Sequence, residues 1–551
     1  MASNKIILYQ IFTRLYGNRN TTRKENGTIE ENGCGKMNDF TPMTLKKIRE
    51  MGVSHIWYTG IIRHATQTDY SAYGIPRQHP AVVKGKAGSP YAIADYYDID
   101  PDLAVNAEER MKEFEALVQR THKAGMKVII DFVPNHVARQ YHSICKPIGV
   151  KDLGEDDNTA HGFDPQNNFY YCPGQHFEPY FDLYQGEKEA YHEEPAKATG
   201  NDCFHNAPGM NDWYETVKLN YGLDYYAGRV GHFNPIPNTW NKMTDILLFW
   251  AQKGVDGFRC DMAEMVPAAF WSWATDKVKY RYPGIIFIGE VYNPAEYRNY
   301  IGAGFDYLYD KVGMYDTMRA VMCGQQSTHA ITAAWQQTDD IRQHMLYFLE
   351  NHDEQRVASD FFAGDARKGV PAMVTSVLMQ QNPFMLYAGE EYGERGMDKE
   401  GFSGQDGRTT IFDYWSIDTL CRAAGKKLKY DEEKLFDIHK KTLLIAGKEK
   451  AVREGVFFDL MYVNGHLQRQ YAFLRKAGAE ALLVVANFDA LPVTTTVNIP
   501  AHAFDYLNMK EKNVVAADLL SERKLRLSLK RDAALPLVLD PYSAVVLKFK
   551  A

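Results

Sequence analysis

One recurring pattern restricts the fold of this chain more than any other: a helix that ends on glycine and runs at once into a short apolar segment. It occurs in "LKKIREMGVSHIWYTG", in "LVQRTHKAGMKVIIDF" and in "LLFWAQKGVDGFRCD". Gly52, Gly125 and Gly254 each stand where a residue in the left-handed conformation closes a helix. Ahead of Gly125, Met111, Phe114, Leu117 and Val118 recur at the spacing of one helical face, so that helix has one side to bury. Further strands read at "KIILYQIF", "IIFIGEVY", "FDYLYD", "MLYFLENHD" and "NPFMLYAGEE". Eight strands alternating with helices predict an α/β fold with a parallel sheet, and eight close most simply as a (β/α)8 TIM barrel.

Two stretches depart from the repeat. After the third strand, about ninety residues rich in Gly, Pro, Asn and aromatics intervene, too many for a loop inside a compact domain. Residues 137–226 are therefore expected to form an inserted B domain. Beyond residue 453 the texture changes to short β-rich runs separated by turns, as in "QYAFLRKAGAEALLVVANF" and "PLVLDPYSAVVLKF". That predicts a C-terminal antiparallel β-sandwich over 454–551, leaving 1–136 and 227–453 for the barrel.

In such a barrel the active site lies at the carboxyl ends of the strands. Polar residues read at those ends are Asn135 and His136 after strand three, Arg259 and Asp261 at strand four, Glu290 after strand five, and His352 and Asp353 after strand seven. Any one of them alone suits a cap, a turn or a structural ion pair; convergence from four strands on one rim does not. Arg259 and Asp261, two apart, share a face, and a guanidinium beside a carboxylate holds it ionised. Asp261 and Glu290 fall on adjacent strands, whose spacing of roughly 4.8 Å suits the retaining arrangement of two carboxylates about 5–5.5 Å apart. On this reading Asp261 is a nucleophile kept charged by Arg259. Glu290 follows the apolar run "IIFIG", which should desolvate it and raise its pKa, as a general acid requires. Asp353 suits the binding of sugar hydroxyls and the stabilising of an oxocarbenium-like transition state.

The chain resembles the α-amylase family of glycoside hydrolases. The four strand-end motifs of that family stand in order as "DFVPNH", "GFRCDMAEM", "IGEV" and "ENHD", with a weaker fifth, "KLNYG", near the end of the insertion. The resemblance covers essentially the whole chain. It implies Asp261 as nucleophile, Glu290 as acid/base and Asp353 as transition-state stabiliser, with His136, His352 and Arg259 at the sugar in the reacting subsite. It also implies that Tyr91, in "SPYAIADYYDIDP", stacks on that sugar. Asp131 is taken as structural, bracing its loop.

The implied activity is hydrolysis of α-1,4-glucosidic bonds in starch-like glucans or maltooligosaccharides. Relatives that remove single glucoses commonly carry an aspartate after this tyrosine; here Ala92 cannot accept that hydrogen bond, so an endo-acting cleft is expected. Phe169, Tyr170, Tyr171, Phe177, Tyr180 and Phe181 serve as stacking platforms or as the small core of the insertion. Other readings are a cyclomaltodextrinase or neopullulanase type, although strand one begins at about Lys5 and leaves no room for the usual extra N-terminal domain; a transglycosidase or isomerase of the same family; and a non-catalytic glucan-binding relative. No H-x-H strand end supports a metal-dependent barrel enzyme. Many α-amylases hold calcium between barrel and insertion, using the asparagine matched by Asn135 and an aspartate that here is Lys218, two residues before Asn220. An ammonium repels calcium and can donate to Asn135 instead, so no metal or other cofactor is expected unless Asp212, Glu215 or the loop "YGNRNTT" with Asn38 and Asp39 supplies the oxygens.

Composition sets the remaining limits. A net charge of −7 offers no basic face for nucleic acid, and no run of eighteen apolar residues spans a membrane. The seven cysteines show no clustered spacing, which fits reduced thiols. The opening "MASNKIILYQIF" is too short and too weakly basic for a signal peptide. A cytoplasmic protein is expected, or a periplasmic or secreted one should a leader have preceded this sequence. Oligomeric state is not legible.

Overall fold

The structure, a computed structural model, describes residues 5–551; the opening four residues of the leader reading lie outside it. Eight parallel strands form a closed barrel: β1 (Ile7–Phe12), β2 (His55–Thr59), β3 (Lys127–Phe132), β4 (Gly257–Cys260), β5 (Ile286–Gly289), β6 (Tyr307–Tyr309), β7 (Met345–Phe348) and β8 (Phe384–Tyr387). Neighbours in the barrel are neighbours in sequence, and β1 pairs β8 to close it. Alternation sorts each strand's side chains. Leu8, Trp57, Ile129, Ile288, Leu346 and Met385 fill the inside, while Ile7, Ile56, Ile130, Phe258 and Phe287 face the surrounding helices.

The helices begin and end as their residues dictate. In α1 (Pro42–Glu50) the Thr41 side chain accepts from the Thr44 N–H, and Pro42 occupies the first position, where its missing N–H costs nothing. Gly52, Gly125 and Gly254 do lie in the left-handed region, with φ of 98°, 77° and 91°. In α2 (Arg110–Lys123), Phe114, Leu117 and Val118 are buried and Met111, at the end of the stripe, is half-buried.

The insertion is tied to the barrel by a short antiparallel pair, His136–Ala138 against Thr216–Lys218, with His136 opposite Lys218. It has little other regular structure. Phe169, Tyr171, Leu219 and Tyr221 pack into the same core as the barrel.

The C-terminal region holds β9 (Val456–Asp459), β10 (Gln470–Ala477), β11 (Glu480–Asn487), β12 (Val493–Ile499), β13 (Lys512–Asp518), β14 (Lys524–Leu529), β15 (Ala533–Leu539) and β16 (Ser543–Lys550). They make one six-stranded sheet in the order β9-β10-β11-β16-β13-β14 and a two-stranded sheet of β12 and β15. Buried Arg475 on β10 donates to the carbonyls of Met379, Ala451, Val452 and Gly455, at 2.7–3.0 Å, and so joins this region to the end of the barrel.

Candidate active site

The parallel ladder continues one residue past the strand ends. The Asp261 N–H donates to the Phe132 carbonyl (2.9 Å), and the Glu290 N–H donates to the Cys260 carbonyl (3.1 Å). Asp261 and Glu290 are thereby set side by side on adjacent strands. Arg259, fully buried and opposite Asp131 in register, reaches both. Its Nη1 lies 2.8 Å from Asp261 Oδ1 and its Nη2 2.7 Å from Glu290 Oε2, with Asp131 Oδ1 at 3.6 Å. The rings of Trp57, Tyr91 and Tyr309 stand 5.1–5.5 Å from the guanidinium carbon and confine it.

Glu290 has partners besides Arg259: the Met262 N–H donates to Oε2 (2.8 Å) and the Tyr292 hydroxyl donates to Oε1. Met262 takes a left-handed backbone (φ 43°, ψ 43°), disfavoured for a side chain of this kind, to aim that N–H. Glu264 fixes the turn after β5 by accepting from the N–H groups of Tyr292 (3.1 Å) and Asn293 (3.0 Å). Arg259 was expected to hold Asp261 charged. Instead burial pushes the Asp261 carboxyl well above the usual range, with Arg259 pulling it down and Glu290 pushing it up. Burial is the larger influence, and the single guanidinium is shared with Asp131 and Glu290, so Arg259 offsets it only in part.

Asp131 braces its surroundings as expected. Its Oδ2 accepts from the Trp57 indole (3.0 Å) and the Gly60 N–H (3.3 Å), and burial raises its carboxyl to about 6. His352 stacks on Tyr91 at 5.2 Å and 25°. Its Nε2 lies 2.5 Å from the Tyr91 hydroxyl and 3.1 Å from Asp353 Oδ2, while Gln10 Nε2 meets its Nδ1 at 2.7 Å. Burial, aided by the Arg259 charge, holds His352 far below its ordinary pKa; burial and the charges of Lys218 and Lys84 hold His136 at about 3. Both rings are neutral near pH 7.

A cavity of about 400 Å³ opens here between the barrel rim and the insertion, and Asp261, Glu290, Asp353, Tyr91 and His136 face it. Arg259 and His352 do not; their side chains are fully buried beneath its wall. All seven expected residues are together, but these two act through the groups above them. Lys84, Trp213, Glu215, Tyr292 and Phe412 also face the cavity. Sequence reasoning missed them. Tyr292, two residues beyond Glu290 and so able to share its side, carried a signal that went unread, whereas Lys84 and Phe412 lie in long loops with no motif.

Ala92 does not look into the cavity. It is 1% exposed and packs with Ala65, Val83, Ala94 and Ala138, so its lack of a hydrogen-bonding group says nothing about the cleft. Of the aromatic run in the insertion, Phe169, Tyr170, Tyr171 and Phe177 are buried, Phe181 is half-buried, and Tyr180 stands out at 97% exposed. Most of that run is core.

At the junction of barrel and insertion, Lys218 Nζ lies 2.7 Å from Asn135 Oδ1 and 2.6 Å from Asp202 Oδ1. The other residues weighed for calcium have partners of their own. Glu215 meets Lys84 at 2.9 Å, and Asp212 accepts from Asn201 and Gly209. Asn38 donates to Glu113, Asp39 accepts from the Lys36 N–H, and Asn18 ties its loop to the Asn32 and Trp415 carbonyls. Asp95, Asp98 and Cys145 lie within ligating distance of one another, but Arg63 and Arg110 already pair with the two carboxylates. Among the described residues no disulfide joins the seven cysteines, and no helix is long and apolar enough to cross a membrane.

A family model described as "Alpha amylase, catalytic domain" matches residues 10–453. The chain is similar to Alpha-amylase 3 of Dictyoglomus thermophilum, 24% identical over 492 residues, which span 83% of this chain and 82% of that protein. It is also similar to Neopullulanase 2 of Thermoactinomyces vulgaris, 21% identical over 536 residues, 90% of this chain and 72% of that one. The crystal structure of the maltogenic alpha-amylase AmyB from Thermotoga neapolitana superposes with a TM-score of 0.65 at 20% identity, covering 100% of both chains.

Proposed function

Because the chain belongs to the α-amylase family of glycoside hydrolases, we propose that it cleaves α-1,4-glucosidic bonds of starch-like glucans and maltooligosaccharides with retention of configuration. The observation that carries this reading is the pair Asp261 and Glu290, side by side at adjacent strand ends on one guanidinium and open to one cavity. Glu290, protonated, gives its proton to the glycosidic oxygen as the bond to the anomeric carbon breaks. Asp261 forms a bond to that carbon from the opposite face, and the leaving chain departs as an alcohol. Water then attacks the glycosyl-enzyme, Glu290 takes its proton, and Asp261 is released. Asp353, 40% exposed and the most open of the three, is placed to hold sugar hydroxyls. His136 and Tyr91 present a neutral ring nitrogen and an aromatic face to the sugar in this step, while His352 and Arg259 hold Tyr91, Asp353 and the carboxylate pair from below.

The experiment is time-resolved NMR of products from maltooligosaccharides. Release of α-anomers first is expected, and β-anomers first would overturn the two-carboxylate reading. The long match to a protein named a neopullulanase supports a second specificity, so pullulan, cyclodextrin, amylose and maltose belong in the same product panel. Trehalose or lengthened glucans from maltose would mark a transglycosidase or isomerase.

Lys218 is read as taking the place of a cation at the junction, since its ammonium lies between Asn135 and Asp202 where calcium would need oxygen donors alone. The unpaired cysteines favour a reducing compartment, and the net charge of −7 gives no support to a nucleic-acid partner.

A further inference from the structure

Beside the catalytic cavity lies a second one of about 290 Å³, and the wall between them contains a buried ion pair. Lys84, from the long excursion after β2, places Nζ 2.9 Å from Glu215 Oε2 of the insertion; the side chains are only 10% and 5% exposed. The same ammonium donates to the Asp212 carbonyl (3.2 Å) and stands 5.0 Å from the Tyr214 ring centre. Lys84 and Glu215 face the catalytic cavity, whereas their chain neighbours Val83, Gly85 and Tyr214 face the second. The wall continues in an aromatic contact: Phe412 on the catalytic side and Phe402 on the other, with ring centres 5.0 Å apart. The second cavity presents Lys86 and the amides of Gln67 and Gln185 beside Phe181, whose ring lies 4.6 Å from that of Tyr214. Polar donors beside aromatic faces suit sugars.

We propose that the Lys84–Glu215 pair partitions the glucan-binding cleft, limiting how many sugar units the catalytic cavity holds and thereby setting product length. This rests on the glucan-hydrolase reading above. Two loops are joined as well by packed apolar side chains, without the desolvation that a buried ion pair incurs. A pair that faces the cleft has a further use, because its ammonium donates to sugar hydroxyls and its carboxylate accepts from them. Lys84 also acts on the reacting subsite, since its charge helps hold His136 neutral. At about 400 Å³ the catalytic cavity is near the small end of ligand sites, matched to a short oligosaccharide segment.

The test is the double variant Lys84→Ala/Glu215→Ala, which removes both charges and the side-chain bulk that closes the wall, with a melting curve to check the fold. On amylose, the wild type is expected to give a narrow set of short products. The folded double variant is expected to raise the ratio of maltotetraose and longer products to maltose and glucose severalfold, with the anomeric outcome unchanged. If the double variant melts far below the wild type, Glu215→Ala, which opens one side of the wall while Lys84 keeps its bond to the Asp212 carbonyl (3.2 Å), carries the test with the same expected direction. A folded variant with the wild-type product distribution overturns the partition alone. A wild type that hydrolyses no α-1,4-glucan overturns the partition together with the reading beneath it.

Discussion

Asp261 is where the residue-scale chemistry concentrates, and Asp261→Asn isolates it. The change keeps the shape but removes the nucleophile, so kcat is expected to fall by several powers of ten with the melting temperature little altered; appreciable residual turnover would refute the assignment. The environment of Asp261 also fixes a pH dependence. Burial and the Glu290 carboxylate raise its carboxyl above the usual range against the pull of Arg259. The ionised form attacks, so activity is lost as pH falls through that raised value. The acid limb of kcat/KM is therefore expected above the ordinary aspartate value of about 3.9, and a limb at or below it would contradict the shared-charge account. The residue types and their strand-end spacing made Asp261, Glu290 and Asp353 legible. The division of one guanidinium among three carboxylates was not, because Asp131 and Glu290 come from strands far apart in sequence.

At the scale of elements, the short pair His136–Ala138 and Thr216–Lys218 carries both a catalytic-site histidine and the lysine of the junction. Placing His136 opposite Lys218 brings the ammonium to Asn135 and, across a turn of the insertion, to Asp202. The melting temperature is accordingly expected to be the same in EDTA as in added calcium; a marked fall in EDTA that calcium restores would overturn the lysine-for-cation reading. Lys218→Met is expected to destabilise by about 1–3 kcal/mol, discounted because Asp202 is a third exposed, and an unchanged melting curve would show that the contact carries no stability. The Lys218 substitution was visible in the sequence, since it breaks a motif at a known offset. Asp202 was not, because it lies in irregular chain where no periodicity places a residue.

At the scale of the whole molecule, Arg475 joins the C-terminal sheet to the barrel by donating to four carbonyls, and burial lowers its pKa to about 9. Arg475→Met leaves those carbonyls without their donor, so a loss on the order of 3 kcal/mol is expected, read as an earlier thermal transition; an unchanged transition would show that the two regions are held by apolar packing alone. By itself the sequence determined the barrel, its insertion and its C-terminal sheets, because hydrophobic period, glycine-closed helices and turn chemistry are local properties of the chain. It also determined the strand-end residues, because a parallel barrel sends the carboxyl end of every strand to one rim. Only the tertiary structure decided that Ala92 faces a core, that Arg259 and His352 lie beneath the cavity wall, and that Lys84 meets Glu215 across it. Each of these depends on how long, irregular loops from separate parts of the chain pack against one another, and burial of that kind is fixed by packing in three dimensions.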